Sequence, residues 1–247
     1  MLTQDVYFLI PLIFLAAMLF SSVGHGGASA YLAVMALMSV APASMRPAAL
    51  VLNILVASIA IYKFYRTDAF SWRLFLPLSI ASVPAAFIGG LVSLPNHFYK
   101  PIVGLVLIFA AWHIFTQATK PYSVNQSAAK PGVLVGLGAV LGMLSGLTGI
   151  GGGVFLSPIL LFFKWAETKV ISGVAAAFIL VNSVAGLIGV LIKHPSLPAA
   201  LPYWAVAAIL GGLVGAEYGS RRLANSSIRK LLALVLLLAG SKMAFSG

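Results

Sequence analysis

The sequence predicts an all-α polytopic membrane protein with two inverted-topology repeats of about five helical segments each. Glycine-turn hairpins from the two repeats are expected to meet near mid-membrane. Three observations predict this. The chain of 247 residues is 61% hydrophobic and 8% charged, against about 25% charged in soluble domains, so it cannot supply a polar shell. Its apolar residues gather into ten runs, at roughly 6–22, 28–45, 47–62, 74–94, 101–119, 131–148, 153–163, 170–192, 199–216 and 229–246. Two glycine-rich stretches, "SSVGHGGASA" at 21–30 and "GLTGIGGG" at 146–153, punctuate those runs at corresponding places.

Taken in order, the first run follows "MLTQD", which carries Asp5 and no Lys or Arg, and no small-residue cleavage site follows it. It is therefore expected to be a membrane segment rather than a secretory signal. The runs at 28–45 and 153–163 directly follow the glycine stretches, and the second is cut short by Lys164. Several of the remaining runs suffice to cross a hydrocarbon core about 30 Å thick as helices. Unbroken apolar runs are not the alternation that membrane barrels show. The most polar stretch, "TKPYSVNQSAAKP" at 119–131, reads as a linker. The expected organisation is an N-terminal transmembrane repeat at 1–118, a cytoplasmic linker at 119–130 and a C-terminal transmembrane repeat at 131–247.

The halves resemble each other. "VGHGGA" at 23–28 matches "TGIGGG" at 148–153, "AFIGGLV" at 86–92 matches "AILGGLV" at 208–214, and "LPNHFYKPIVGLVLI" at 94–108 matches "LANSSIRKLLALVLL" at 223–237. The offsets are 125, 122 and 129, and the order is kept. An odd number of segments per repeat turns the second half upside down relative to the first, the plan of many alternating-access carriers. Charge tests the arrangement. One side receives Lys63, Arg66, Arg73, Lys120, Lys130, Lys164, Lys169, Arg221, Arg222, Arg229 and Lys230; the other receives Arg46, Lys100, Lys193 and Lys242. The rich side is expected to be cytoplasmic, which puts both termini in the periplasm. The net charge of +11 is thus read as membrane orientation, and nucleic acid is not an expected partner.

Short or glycine-broken segments in matching positions point to a substrate site near the midplane. Glycine permits positive φ and close approach of a ligand to the backbone. A helix that starts after such a turn offers unpaired N–H groups and a partial positive end. Two such ends would form a pocket for a small anion. The candidate binding residues are Gly24, His25, Gly26 and Gly27 in the first turn, and Thr148, Gly149, Gly151, Gly152 and Gly153 in the second. Asn53 and Asn182 join them, because each is an amide inside an uncharged run and needs a polar partner there. Ser22, Ser29, Ser145 and Ser157 lie around the turns. Close helix packing is the structural alternative for the glycines, and interhelical bonding is the alternative for the asparagines. Gly89, Gly90, Gly211 and Gly212 read as packing positions. His25 is open to three roles: a titrating group, a neutral donor to the ligand, or a helix cap. No Lys or Arg lies well inside an apolar run, so the pocket is expected to rely on backbone dipoles and neutral side chains. Glu217, four residues before Arg221, has the spacing of a surface ion pair.

Other chemistries are not expected. The chain has no cysteine, which removes disulfides and thiolate metal sites. It has four acids in all, and none forms a buried pair. There is no HExxH motif and no phosphate loop with its Lys, and "GIGGG" lacks the strand and acid of a nucleotide fingerprint. The chain is expected to have no enzymatic activity, no cofactor and no metal.

The turns with their following helices, "GHGGASAYLAVMAL" and "GIGGGVFLSPILL", resemble the TauE/SafE family of membrane permeases. The glycine run followed by Pro158 is the most specific piece, and the likeness extends over nearly the whole chain. The first half departs at Ala28 and Leu32, which stand where the second half has Gly153 and Ser157. The resemblance implies export of small sulfur-containing anions, such as sulfite or organosulfonates, across the bacterial inner membrane. The residues themselves fit a secondary carrier working by alternating access, an anion channel with the same pocket, or a non-transporting membrane scaffold. The expected partners are a small anion and the lipid bilayer, with room for a homo-oligomer.

Overall fold

A computed structural model describes residues 3–93, 95–117, 129–193 and 195–221, together with Leu237, Ser241 and Ala244. Those residues form nine helices and no strand: α1 (Thr3–Ser21), α2 (Ala28–Leu37), α3 (Pro42–Tyr65), α4 (Trp72–Leu91), α5 (Asn96–Gln117), α6 (Pro131–Thr148), α7 (Gly153–Phe162), α8 (Thr168–Lys193) and α9 (Leu201–Arg221). Each matches one predicted apolar run. All of the tenth run, at 229–246, except Leu237, Ser241 and Ala244, and most of the linker lie outside the described residues.

Helices α3, α4, α6, α8 and α9 are long and apolar enough to cross a membrane. Helices α2 and α7 have ten residues each, about 15 Å at 1.5 Å per residue, half of a hydrocarbon core. The run at 28–45 thus splits: α2 ends at Leu37, and Pro42, at the first position of its helix, opens α3.

Small residues set the packing and reveal helix direction. On α6, Gly138, Gly142 and Gly146 rest against the backbone carbonyls of Leu78, Ser82 and Ala86 on α4. Both sets ascend together, so α4 and α6 run parallel. On α9, Gly211, Gly215 and Gly219 rest in the same way on the carbonyls of Phe14, Met18 and Ser22, so α1 and α9 run parallel. Helices α3 and α8 run in opposite directions. Gly173, early in α8, meets Ala69 and Phe64 beyond and near the end of α3, whereas Gly186, late in α8, lies beside Leu50 near the start of α3. The glycines let backbones approach where lipid supplies no hydrophobic force between helices. Gly89 and Gly90 do the same against Met143 and Gly186, in line with their expected packing role.

Exposed aromatic rings, including Tyr62, Tyr65, Trp72 and Tyr218, ring one end of the bundle. At that end Lys63 donates to the Glu217 carboxylate, with both side chains partly exposed. The bond joins α3 to α9, a partner for Glu217 that the spacing to Arg221 did not indicate.

Two identical substitutions on α6 separate packing from propensity. Gly142→Ala forces a Cβ onto the Ser82 backbone, and overpacking of this kind costs about 1–3 kcal/mol. A Cβ on Gly136 meets nothing within 4 Å, so Gly136→Ala gains roughly 0.5–1 kcal/mol of helix propensity. Thermal unfolding in detergent is expected to move down for the first and level or up for the second.

Candidate functional site

The two glycine turns meet. Gly24, Gly27, Gly149, Gly151 and Gly152 all have φ between +75° and +98°, the left-handed region that β-carbon sterics discourage. Gly27 and Gly152 directly precede α2 and α7, so each short helix starts from a left-handed glycine. The turn after α1 thus points α2 back, and the turn after α6 does the same for α7.

Asn53 fastens the turns together. It is the twelfth residue of the 24 in α3, so the junction lies half-way along a membrane-length helix. Its Oδ1 accepts from the backbone N–H of Ala28, the first residue of α2, at 3.0 Å. Its Nδ2 donates to Ile150 O in the second turn at 3.2 Å and to Ser183 Oγ on α8 at 3.3 Å. One buried amide therefore satisfies an orphan helix donor from one turn and a carbonyl from the other. The fit is tight. A Cβ on Gly26 would strike Asn53 Oδ1, and a Cβ on Gly151 would lie 2.6 Å from Asn53 Nδ2. Ile179 Cγ2 stands beside both, 3.1 Å and 3.0 Å from the same two built atoms. An amide from α3 and an apolar side chain from α8 thus close on the same two glycines.

His25 makes the second bridge. Nδ1 lies 3.1 Å from Val23 O, and Nε2 lies 3.1 Å from Gly153 O and 3.1 Å from Ser157 Oγ, both on α7. The ring edge packs on Phe20 of α1 at 6.3 Å between centroids. In the second half Ile150 stands where His25 does, buried and without a ring to donate.

The remaining candidates divide. Thr148 serves its own turn: Oγ1 donates to Leu144 O at 2.7 Å and accepts from Ile150 N at 3.3 Å. Gly149 abuts Arg46, and Gly24 abuts Ser172 on α8. A Cβ on Gly152 would lie 2.9 Å from the Phe178 ring, so a side chain there strains the turn and displaces Phe178. A Cβ on Gly153 would strike the Ile179 side chain. Asn182 bonds to Phe178 O of its own helix at 2.8 Å, and its Oδ1 is buried with no partner; it does not join the Asn53 cluster. Ser29 Oγ and Ser145 Oγ are also buried without partners, and Ser145 Cβ is 3.4 Å from a Cβ built on Gly152.

Arg46 corrects the expectation that no cation lies deep. It is 8% exposed, one turn inside α3, where the sequence placed it in a connection between two runs. Its Nε donates to Gly146 O at 2.9 Å, one terminal nitrogen to Val92 O at 2.9 Å, and the other to Gly89 O at 2.6 Å, to Gly90 O at 3.2 Å and to Gly146 O. These are carbonyls at the closing ends of α4 and α6, where the helix dipole is negative. The guanidinium's fixed fork of donors suits such a cage better than an ammonium would. Tyr99 and Tyr31 are further polar members that composition concealed: Tyr99 donates to Thr148 O at 3.2 Å and Tyr31 to Gly26 O at 2.9 Å. Both look like core aromatics in sequence; only the fold shows their hydroxyls holding the turns.

The sulfite exporter TauE/SafE family model matches residues 9–243. The chain belongs to the TauE/SafE family. Similar proteins include a probable membrane transporter protein of Sinorhizobium fredii, 38% identical over 233 residues, with 93% of this chain and 94% of the relative covered. A probable membrane transporter protein of Methanocaldococcus jannaschii is 25% identical over 200 residues, covering 73% of each chain. No solved structure matches. This TauE/SafE member is accordingly a multi-pass membrane transporter and not an enzyme.

Removing the Asn53 amide tests the junction. Asn53→Ala strands the Ala28 N–H and the Ile150 carbonyl, at about 1–3 kcal/mol for each buried group left unpaired. Asn182→Ala loses one bond to a carbonyl of its own helix, an effect of about 1 kcal/mol or less. Melting temperatures in detergent are expected to fall clearly for the first variant and barely for the second.

Proposed function

We propose that the chain is a secondary transporter that exports small sulfur-containing anions, sulfite or organosulfonates, across the inner membrane by alternating access. The observation that carries this reading is the Asn53 junction, which brings the starts of α2 and α7 together half-way along α3. Two helix starts with their partial positive ends form a site for an anion that needs no carboxylate or metal. Arg46, against Gly149, adds a full positive charge beside one turn. The backbone N–H groups of the glycine turns, with His25 and Asn53, are the proposed contacts; Thr148 acts by shaping its turn. The family description supplies the sulfur class, and the site chemistry supplies the sign of the charge.

The halves, 1–118 and 131–247, are proposed to be inverted repeats. The antiparallel course of α3 and α8, which occupy the same place in each half, supports this. So does the reciprocal packing of α1 on α9 and of α6 on α4. The first hairpin then enters from the periplasm and the second from the cytoplasm, with both termini periplasmic. The left-handed glycines at the starts of α2 and α7 serve as hinges. Movement of one hairpin away from Asn53 and Ile179 opens the junction to one side, and movement of the other opens it to the opposite side. An inward-negative potential drives a monovalent anion outward by about 2.3 kcal/mol per 100 mV.

Efflux of labelled sulfite and sulfoacetate from vesicles holding the purified protein tests this. Saturable efflux stimulated by anion on the far side is expected, and ohmic current would instead mark a channel. Gly26→Ala, which drives a Cβ into the Asn53 amide, should cut flux about tenfold, the loss expected from misplacing one strong polar contact. Gly136→Ala should leave flux unchanged. No efflux and no thermal stabilisation by either anion would overturn the sulfur-anion reading and leave a transporter of another substrate.

A further inference from the structure

Resting on the reading of this chain as an anion carrier, the geometry points to His25 as a proton-coupling site that makes net anion export an exchange against protons. Each ring nitrogen of His25 faces a backbone carbonyl at 3.1 Å, Nδ1 facing Val23 O and Nε2 facing Gly153 O. A carbonyl only accepts, and a neutral imidazole carries a single N–H. Both carbonyls are satisfied together by the imidazolium, which has two. The neutral ring with its proton on Nδ1 sets a lone pair against Gly153 O. Ser157 Oγ, 3.1 Å from Nε2, is the hydroxyl that turns its own proton toward Nε2 in that state. The two protonation states therefore carry different bonds across the junction. One grips the first carbonyl of α7; the other releases it.

The position gives the bond leverage. Val23 and His25 flank Gly24 in the first turn, and Gly153 opens α7, so the ring spans both hairpins. His25 is half-buried, which leaves a route for protons. The surrounding elements contribute Phe20 and Val23 beside the first turn, Tyr31 of α2 bonded to Gly26 O, Ser157 of α7, and Ser172 and Ile179 of α8. The charged group of α3 is Arg46, on the far side of the second turn against Gly149. Among the described residues the acids are Asp5 at the start of α1, Asp68 after α3, Glu167 ahead of α8 and Glu217 on α9; Glu217 lies two residues before Gly219, which packs on Ser22 below the first turn.

Alternation follows from packing. A single added carbon at Gly26 or Gly151 already collides with Asn53, so an oxyanion of several heavy atoms enters only when the junction opens. The closed junction carries the proton; the open one carries the anion. Outward movement of the anion is followed by closure, which takes one proton onto His25 from outside. Opening to the inside releases that proton to the cytoplasm. One anion leaves for each proton that enters, and the membrane potential drives both.

The test uses the purified full chain in vesicles loaded with labelled sulfoacetate and a lumenal pH dye. Wild-type efflux should acidify the lumen and accelerate as outside pH is lowered. His25→Gln supplies an amide donor to Gly153 O that needs no proton. Its anion-for-anion exchange should be slowed but measurable, because His25 is also a proposed contact, while the protons taken up per anion released fall at least about tenfold and the pH dependence of net efflux flattens. Retained exchange also shows that the variant is folded. Ser157→Ala, which strips the neutral ring of its donor, should extend fast net efflux to more alkaline outside pH. Wild-type efflux without acidification, or His25→Gln acidifying like wild type, would overturn the coupling and leave the carrier standing. A Ser157→Ala profile identical to wild type would do the same. A wild type that moves no anion in exchange or efflux would remove the carrier reading itself, and the coupling with it.

Discussion

Hydrocarbon offers no partner to a bare peptide group, and that constraint organises the whole structure. Irregular backbone at membrane depth survives only where protein surrounds it and answers its donors and acceptors. The two glycine turns are such backbone. Asn53 answers an N–H of one and a carbonyl of the other, Tyr31 and Tyr99 answer carbonyls on either side, and Arg46 gathers the carbonyls where α4 and α6 close. The polar side chains are few, and they are spent on the turns. This explains how a chain with 8% charged residues keeps two interrupted helices inside the bilayer.

The same economy shapes the packing. Two parallel helix pairs, α4 with α6 and α1 with α9, are drawn close through glycines spaced four apart. Each pair joins a helix of one half to a helix of the other. The glycines lie on the first helix of the second half in one pair and on the fourth helix of that half in the other. Reciprocal architecture is thus kept while its chemistry is not. The same holds at the centre, where Asn53 faces Ile179 and His25 corresponds to Ile150. The polar groups that hold the junction, His25, Tyr31, Arg46, Asn53 and Tyr99, all come from the part of the chain ahead of the linker.

Much of this was legible in the sequence. Runs of apolar residues gave the helices because membrane segments carry their signal in length and composition. The glycine turns were legible because left-handed backbone demands glycine, and repetition at a near-constant offset marked them as paired. Three things were not legible. Arg46 sits between apolar runs, and nothing local distinguishes a loop cation from one a turn inside a helix with carbonyls converging on it. Asn53 and Asn182 look alike in sequence, yet only Asn53 faces the turns; three residues of helical phase separate a junction from a lone amide. Tyr31 and Tyr99 read as core aromatics because a hydroxyl's partner lies far away in the chain. Long-range hydrogen bonds leave no periodicity to read.

The central claim is that an anion is held between the two turns at the level of Asn53. A density map of the protein in lipid nanodiscs with sulfite or sulfoacetate present tests it most directly. The account predicts density for the anion between Gly26–Ala28 and Gly151–Gly153, within hydrogen-bonding distance of backbone N–H groups from both turns. Anion density elsewhere, with the turns still clasped on Asn53, would contradict it.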